Sequence, residues 1–325
     1  MNNAITDIPG LRVGHAQDKQ AATGCTVVLC PPGTLGGIDV RGSAAGTRQT
    51  DSLHSSHFVD EVHAVLLSGG SAFGLDASGG VMKFLEAQGI GYQTSAGKVP
   101  IVPTAIIYDL GLGNSGVRPD QDMGYQACLN QQSGKIEEGS VGVGTGACVG
   151  KILGIRWATK GGVGTSSMVD PGGRIVAALV AVNAFGDVFD PGSGKILAGA
   201  RDPEYPTRFI NTSARIRQRG FALPRRDPRM QNTTLGVMAT NVLLTKREAI
   251  KVAQMAQSGL ARTISPIHST VDGDLMIALS AGDHPGDVDA VGLMAQEVVA
   301  AAVLRAIVTA DGLGFLPAYR DLPVD

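Results

Sequence analysis

The residues best equipped for chemistry sit at one junction, Asn232-Thr233-Thr234-Leu235-Gly236-Val237-Met238-Ala239-Thr240-Asn241. A threonine hydroxyl is a poor nucleophile until a base removes its proton. When threonine opens a chain, its own α-amine, with an ordinary pKa near ~8, can be that base. An internal Thr233 reaches that state only if the Asn232–Thr233 peptide bond is cut. The junction therefore suggests self-cleavage, with Thr233 as the exposed nucleophile. The same residues also allow two plainer readings: a threonine at a strand start, or an N-x-[ST] glycosylation acceptor.

A second group lies downstream in Val271-Asp272-Gly273-Asp274. If Gly273 is extended, both carboxylates point to one face, where they could hold and polarise a new amine on Thr233. The competing reading is an Asp-Gly turn between two strands. A calcium loop fails, because the twelve-residue ligand register with its terminal Glu is missing. His268 precedes these residues and reads as structural, since no Ser-His-Asp spacing accompanies it. The glycines of 69–80 form neither GxxxxGK[ST] nor a true GxGxxG, so they do not predict a phosphate cradle. Gly-x-Gly-x-Gly at 142–146 reads as backbone crowded against the reactive strands.

The elements that must position these residues follow from pattern. Residues 22–30, 61–67, 101–108 and 175–182 are β-branched and aliphatic runs that predict strands. A polar loop covers 39–56. The glycine-rich stretch 68–80 feeds a helix from 81. Residues 140–167 are dense in Gly, Ser and Thr and contain Lys151 and Lys160. From 198 to 231 arginines and prolines accumulate, predicting a mobile connector with slack for two cut ends to separate. Beyond Thr233 the order is strand (235–244), helix (246–259), strand (275–280), helix (289–310). Residues 291–304 are apolar nearly all round, which predicts a buried helix or a subunit contact. Strands and helices without strict βαβ alternation predict layered α+β packing.

Composition sets outer bounds. The 325 residues suffice for one large domain or two ordinary ones. Aromatics are only 4%, so the core must be built from Val, Ile, Leu and Ala. A net charge of −2 gives no electrostatic reason for a nucleic-acid partner. No apolar run approaches the ~18 residues of a spanning helix, and the N-terminal residues lack the basic and apolar regions of a signal peptide. Cys25, Cys30, Cys128 and Cys148 form no CxxC pair, and the histidine spacing does not suit zinc. The expectation is a soluble, cytoplasmic protein with free thiols and without metal, cofactor or membrane partner.

Taken in order, several motifs resemble one family. They are 67–75 (Leu-Ser-Gly-Gly-Ser-Ala-Phe-Gly-Leu), 105–109 (Ala-Ile-Ile-Tyr-Asp), the glycine-rich approach to Lys151, 182–187 (Val-Asn-Ala-Phe-Gly-Asp), the Asn-Thr-Thr junction and Asp-Gly-Asp. Together they resemble the DmpA family, peptidase family S58. These are self-processing N-terminal nucleophile hydrolases: L-aminopeptidase/D-esterases, with β-aminopeptidases and nylon-oligomer hydrolases as relatives. The resemblance spans almost the whole chain. It implies one four-layer αββα sandwich over 1–325, cut into an α chain of 1–232 and a β chain of 233–325.

The resemblance also implies roles. Thr233 matches the nucleophile, cutting first after Asn232 and later attacking an acyl carbon. Asn183 matches an amide that stabilises the oxyanion; its other reading is a turn-forming Asn. Tyr108 matches an active-site tyrosine of the nylon-hydrolase branch, against a buried structural Tyr. Lys151 matches a lysine that lowers the pKa of the nucleophile, with Lys160 as the alternative from the peptidase branch. Asp272 and Asp274 follow the nylon-oligomer pattern, where peptidase relatives tend to carry Ser-Gly-Glu or Ser-Gly-Asp. The implied activity is hydrolysis of amide or ester bonds in small peptides, amino-acid amides or oligoamides, in a tetramer of αβ units. Three readings stand beside it: an acyltransferase sharing the acyl-Thr intermediate, a 6-aminohexanoate-oligomer specificity, and an unprocessed αββα binding scaffold.

Overall fold

The strands from 175 and from 233 carry apolar side chains on both faces, so a sheet built from them must be covered on both sides. The computed structural model, which describes residues 1–220 and 232–322, shows how. One five-stranded sheet runs β1 (Arg12–Asp18), β2 (Thr23–Leu29), β5 (Ala64–Ser68), β6 (Thr104–Ile106), β4 (Thr47–Arg48). The other runs β7 (Gly162–Val169), β8 (Ile175–Asn183), β9 (Thr233–Val242), β10 (Leu275–His284), β3 (Leu35–Val40). Pairing is antiparallel except at β5–β6 and β9–β10.

The two sheets stack on a shared core. Val13, Val28, Val65 and Leu67 of the first meet Leu179, Leu235, Val237 and Ile277 of the second. The outer face of the first sheet is covered by α1 (Ala77–Ala87) and α2 (Gln121–Leu129), through Val81, Leu85 and Ala127. Helices α4 (Lys246–Thr263) and α5 (Val288–Val308) cover the second, with Leu260, Val299 and Val303 against Val180, Met238 and Met276. The layers are therefore α, β, β, α. The α+β expectation holds, and the core is aliphatic as the composition required.

Local sequence explains the helix ends and the tight packing. Helix α4 opens with a capping box: Thr245 accepts from the Glu248 N–H and the Glu248 carboxylate takes the Thr245 N–H at 2.7 Å. Helix α5 presses onto β7 where Gly164 has no side chain. A Cβ there would lie 2.2 Å from the Ala302 carbonyl oxygen. By length and composition α5 could cross a membrane, which corrects the expectation that no apolar run approaches that length. In this fold most of α5 is buried between β7, β8 and α4.

Two expectations change in detail. Only Thr104–Ile106 of the run 101–108 pairs as a strand. The arginine-rich connector, 198–231, contains regular structure: it starts where the strand Ile196–Ala198 ends, and a helix, α3, covers Thr212–Arg219. Residues 221–231 of that predicted connector lie outside the described residues.

Candidate active site

Thr233 is the first residue of β9, a central strand, and pairs directly with Asn183 at the end of β8. Its hydroxyl lies 2.5 Å from the carbonyl oxygen of Asn232, to which it donates. That oxygen also takes the Gly273 N–H at 2.8 Å. The Asn232–Thr233 peptide thus has a hydroxyl on its own downstream side and a backbone donor on its carbonyl oxygen. Such a donor stabilises a developing oxyanion most strongly in a dry site, and Asn232 and Thr233 are both buried. Asn232 continues the strand pairing as a parallel bridge to Asp272. Among the described residues, the Asn232 Oδ1 and Thr234 Oγ1 atoms are buried without a hydrogen-bond partner. Unsatisfied groups of this kind are uncommon and costly, and here they flank the junction.

Asn183 is fully buried, and its contacts fix the amide orientation. Oδ1 accepts from Lys151 Nζ at 2.8 Å and from the Cys148 N–H at 3.0 Å. Nδ2 donates to the Tyr108 carbonyl at 3.1 Å, and the second N–H of the amide has no partner among the described residues. Lys151 also donates to the Asn183 carbonyl at 2.9 Å. Burial lowers the Lys151 pKa, opposed by the charges of Cys148, Asp272, Asp109 and Asp274. Tyr108 therefore enters the site through its backbone carbonyl. No hydrogen bond ties its phenol to another described residue.

Lys160 takes a different role. It is fully buried and donates to the carbonyls of Gly144, Ala147 and Gly161 at 2.8, 3.0 and 2.9 Å. Burial pushes its pKa down to about 7, while three carbonyl acceptors match the three N–H bonds of an ammonium. Lys160 pins the glycine-rich turn, and Lys151 is the lysine on Asn183.

The two carboxylates are held by groups on the residues around the junction, Asp274 by the N–H next to Thr233 and Asp272 by the segment after β8. Asp274 Oδ1 accepts the Thr234 N–H at 2.7 Å, and Oδ2 accepts the His268 N–H at 2.9 Å and His268 Nδ1 at 3.2 Å. Asp272 accepts the Phe185 N–H at 3.1 Å and the Ser269 hydroxyl. Burial, together with the neighbouring Asp274 charge, raises Asp272 to about 7. Before any cut, the carboxylates are thus occupied by these groups rather than by the Thr233 nitrogen. Among the described residues no cluster of His, Cys, Asp and Glu is placed to hold a metal ion.

Sequence reasoning missed the support beneath this segment. The Asp272 and Asp274 carbonyls are bound by N–H groups of the 41–44 loop: Arg41 at 2.9 Å, Gly42 at 3.0 Å and Ala44 at 2.9 Å. Gly273 has a steric reason to be glycine, because a Cβ would stand 2.8 Å from the Thr233 hydroxyl. Neither the loop nor the Gly273 N–H has a side-chain signature, so no motif could have revealed them.

Comparison with known proteins places the chain in a family. The model of peptidase family S58 matches residues 3–316. The chain is 40% identical to an uncharacterized aminopeptidase of Mycobacterium leprae, over 98% of this chain and 93% of that protein. It is 29% identical to a 6-aminohexanoate-oligomer endohydrolase of a Kocuria species, over 92% and 84% respectively. The L-aminopeptidase D-Ala-esterase/amidase of Ochrobactrum anthropi, described as a variant of the Ntn hydrolase fold, superimposes with a TM-score of 0.72. At 20% identity, covering 98% of this chain and 92% of that one, the last likeness concerns the fold. The whole-length family match and the mycobacterial relative decide the assignment: this chain belongs to peptidase family S58, the DmpA family, and is a hydrolase.

Proposed function

We propose that the protein cuts itself between Asn232 and Thr233 and then hydrolyses small amides through an acyl-Thr233 intermediate. The observation that carries this reading is the Thr233 hydroxyl 2.5 Å from the Asn232 carbonyl oxygen, which the Gly273 N–H holds at 2.8 Å. In the first step Oγ bonds to the Asn232 carbonyl carbon, the C–N bond breaks, and the hydroxyl proton passes to the departing nitrogen. Water then cleaves the ester, leaving an Asn232 carboxylate and a free α-amine and hydroxyl on Thr233.

In turnover the new amine takes the Oγ proton while Oγ attacks a substrate carbonyl. The leaving amine departs protonated, and water releases the acid from Thr233. Asn183, whose second amide N–H has no partner among the described residues, is the candidate donor to that oxyanion, and Lys151 holds its amide in place. Identity to the aminopeptidase favours peptides and amino-acid amides with a free amine. Asp-Gly-Asp and the endohydrolase relative support short oligoamides as a second substrate class.

The test is intact mass under denaturing conditions for wild type and Thr233→Ala. Two wild-type pieces breaking at Asn232–Thr233, beside an uncut variant, are the expected result. A wild type that stays one 33.4 kDa chain after long incubation rejects the reading.

A further inference from the structure

Asp109 ends the motif 105–109, and its carboxylate is buried where three segments of the first sheet meet. Oδ2 accepts the Thr23 hydroxyl of β2 at 2.7 Å, and Oδ1 accepts the Gly70 N–H, just after β5, at 2.7 Å. The carboxylate fits because its neighbours lack side chains. A Cβ on Gly69 would stand 2.1 Å from Oδ2, and one on Gly146 would stand 2.6 Å from it. Backbone bonds join the same segments: the Ile107 N–H meets the Ser68 carbonyl at 2.8 Å, and the Ser71 N–H meets the Ile107 carbonyl at 3.0 Å. Tyr108 lies between Ile107 and Asp109, and its carbonyl is the acceptor that takes one Asn183 N–H. The residue after that carbonyl is thus anchored by its own buried side chain.

We propose that Asp109 is a positioning residue for turnover: it holds the Tyr108–Asp109 peptide in the orientation from which Asn183 offers its second N–H to the substrate oxyanion. This inference rests on the reading of Asn183 as that donor. The plane of the peptide sets where the Tyr108 carbonyl points. Lys151 and the Cys148 N–H grip the Asn183 amide at Oδ1, and the Tyr108 carbonyl grips it at Nδ2. With the carbonyl free to swing, the amide loses its aim while substrate still binds. Losing an interaction made only with the developing oxyanion lowers kcat and leaves KM nearly unchanged. The described hydrogen bonds of the junction run to Gly273, Val271 and Asp274 rather than to Asp109. Cutting at Asn232–Thr233 should therefore proceed without the Asp109 carboxylate.

The experiment measures kcat and KM on the para-nitroanilides of L-alanine and 6-aminohexanoic acid, with intact mass giving the cut fraction of each preparation. The proteins are wild type, Asp109→Ala, Asp109→Asn, Thr23→Val, Asn183→Ala and the Asp109→Ala/Asn183→Ala double variant. Asp109→Ala should cut as wild type does, and its kcat should fall about thirtyfold with KM within about twofold. Thr23→Val removes one of the two bonds and should lower kcat about threefold. In Asp109→Asn the amide oxygen keeps the Gly70 N–H and the Thr23 hydroxyl turns to accept, so kcat should stay within about threefold of wild type. Without Asn183, the cost of Asp109→Ala should shrink to less than about twofold. Wild-type kcat in Asp109→Ala overturns the proposal, as does a loss carried mainly by KM, which marks a loosened pocket. Asn as poor as Ala also overturns it, because the Asp109 charge, felt by Lys151 and Lys160, would then be what matters. So does an uncut Asp109→Ala, or a full loss that persists without Asn183. Where Asp109→Ala does not fold or Asn183→Ala stays uncut, the kcat and KM of Thr23→Val and Asp109→Asn decide by the same criteria. A cut wild type that turns over neither probe rejects the amide-hydrolysis reading, and this proposal with it.

Discussion

Lys151 and Lys160 lie in one glycine-rich stretch, and the sequence offered no way to choose between them. The choice depends on which carbonyls surround each ammonium, and that is decided by how the 142–160 segment folds back on itself. Thr233, Asn183 and the two aspartates were legible because their types, order and neighbours resemble a family pattern. Asp187 was visible only as the end of one such motif. In the fold it is fully buried, and its carboxylate accepts the Thr212 N–H at 2.6 Å, the Thr212 hydroxyl at 2.7 Å and the Ala200 N–H at 3.0 Å. It therefore ties β8's far end to the start of α3. Burial raises its pKa to about 6, from an ordinary 3.8. A group whose folded pKa is raised adds stability below its unfolded pKa and loses it as pH rises through the folded value. Between pH 4 and 7, wild type should lose roughly 3 kcal/mol relative to Asp187→Asn. Urea unfolding of both proteins at pH 4.5, 5.5 and 7 measures this. A constant difference between them would show that Asp187 does not titrate in that window.

Most elements could be read from periodicity and caps. Thr245 with Glu248 announces α4, and the apolar run before 304 announces a buried helix. What pattern could not convey is how closely α5 approaches β7. Glycines in a strand read as weak points or turns, but Gly164 is where the helix backbone comes down on the sheet. A Cβ would stand 2.2 Å from the Ala302 carbonyl and 2.3 Å from the Ala306 nitrogen. Both contacts are helix backbone, so neither can move without shifting α5. Gly164→Ala should therefore cost about 2 kcal/mol despite adding one methyl group. Guanidinium unfolding at fixed pH would show a lower midpoint with an unchanged slope. A variant as stable as wild type would mean that α5 slides on the sheet, and that the packing at this crossing is not close.

At the scale of the molecule, sheet order was the part the sequence hid. Strand β3 lies early in the chain yet closes the second sheet antiparallel to β10, with Gly37 lying under α4. At Gly37 a Cβ would meet the Ile250 nitrogen of that helix at 2.4 Å. The consequence for a cut chain is large. Residues 233–325 supply β9 and β10 to the interior of the second sheet and both of its covering helices. Strand β9 pairs with β8 over Thr233–Thr240, and β10 pairs with β3 over Leu275–Ser280, so both seams would join separate pieces. Two ladders and a core of Leu235, Val237, Met238, Met276 and Ile277 outweigh the entropy gained by separating the fragments. Once cut, the two pieces should stay together, and native mass should remain a whole multiple of 33.4 kDa. They should part only on denaturation, and melting of the cut protein should fall within a few degrees of uncut Thr233→Ala. Native mass spectrometry and thermal melting of the two proteins, prepared alike, decide this. Fragments that separate at neutral pH without denaturant would show that the covalent link at 232–233, and not the two seams, holds the second sheet together.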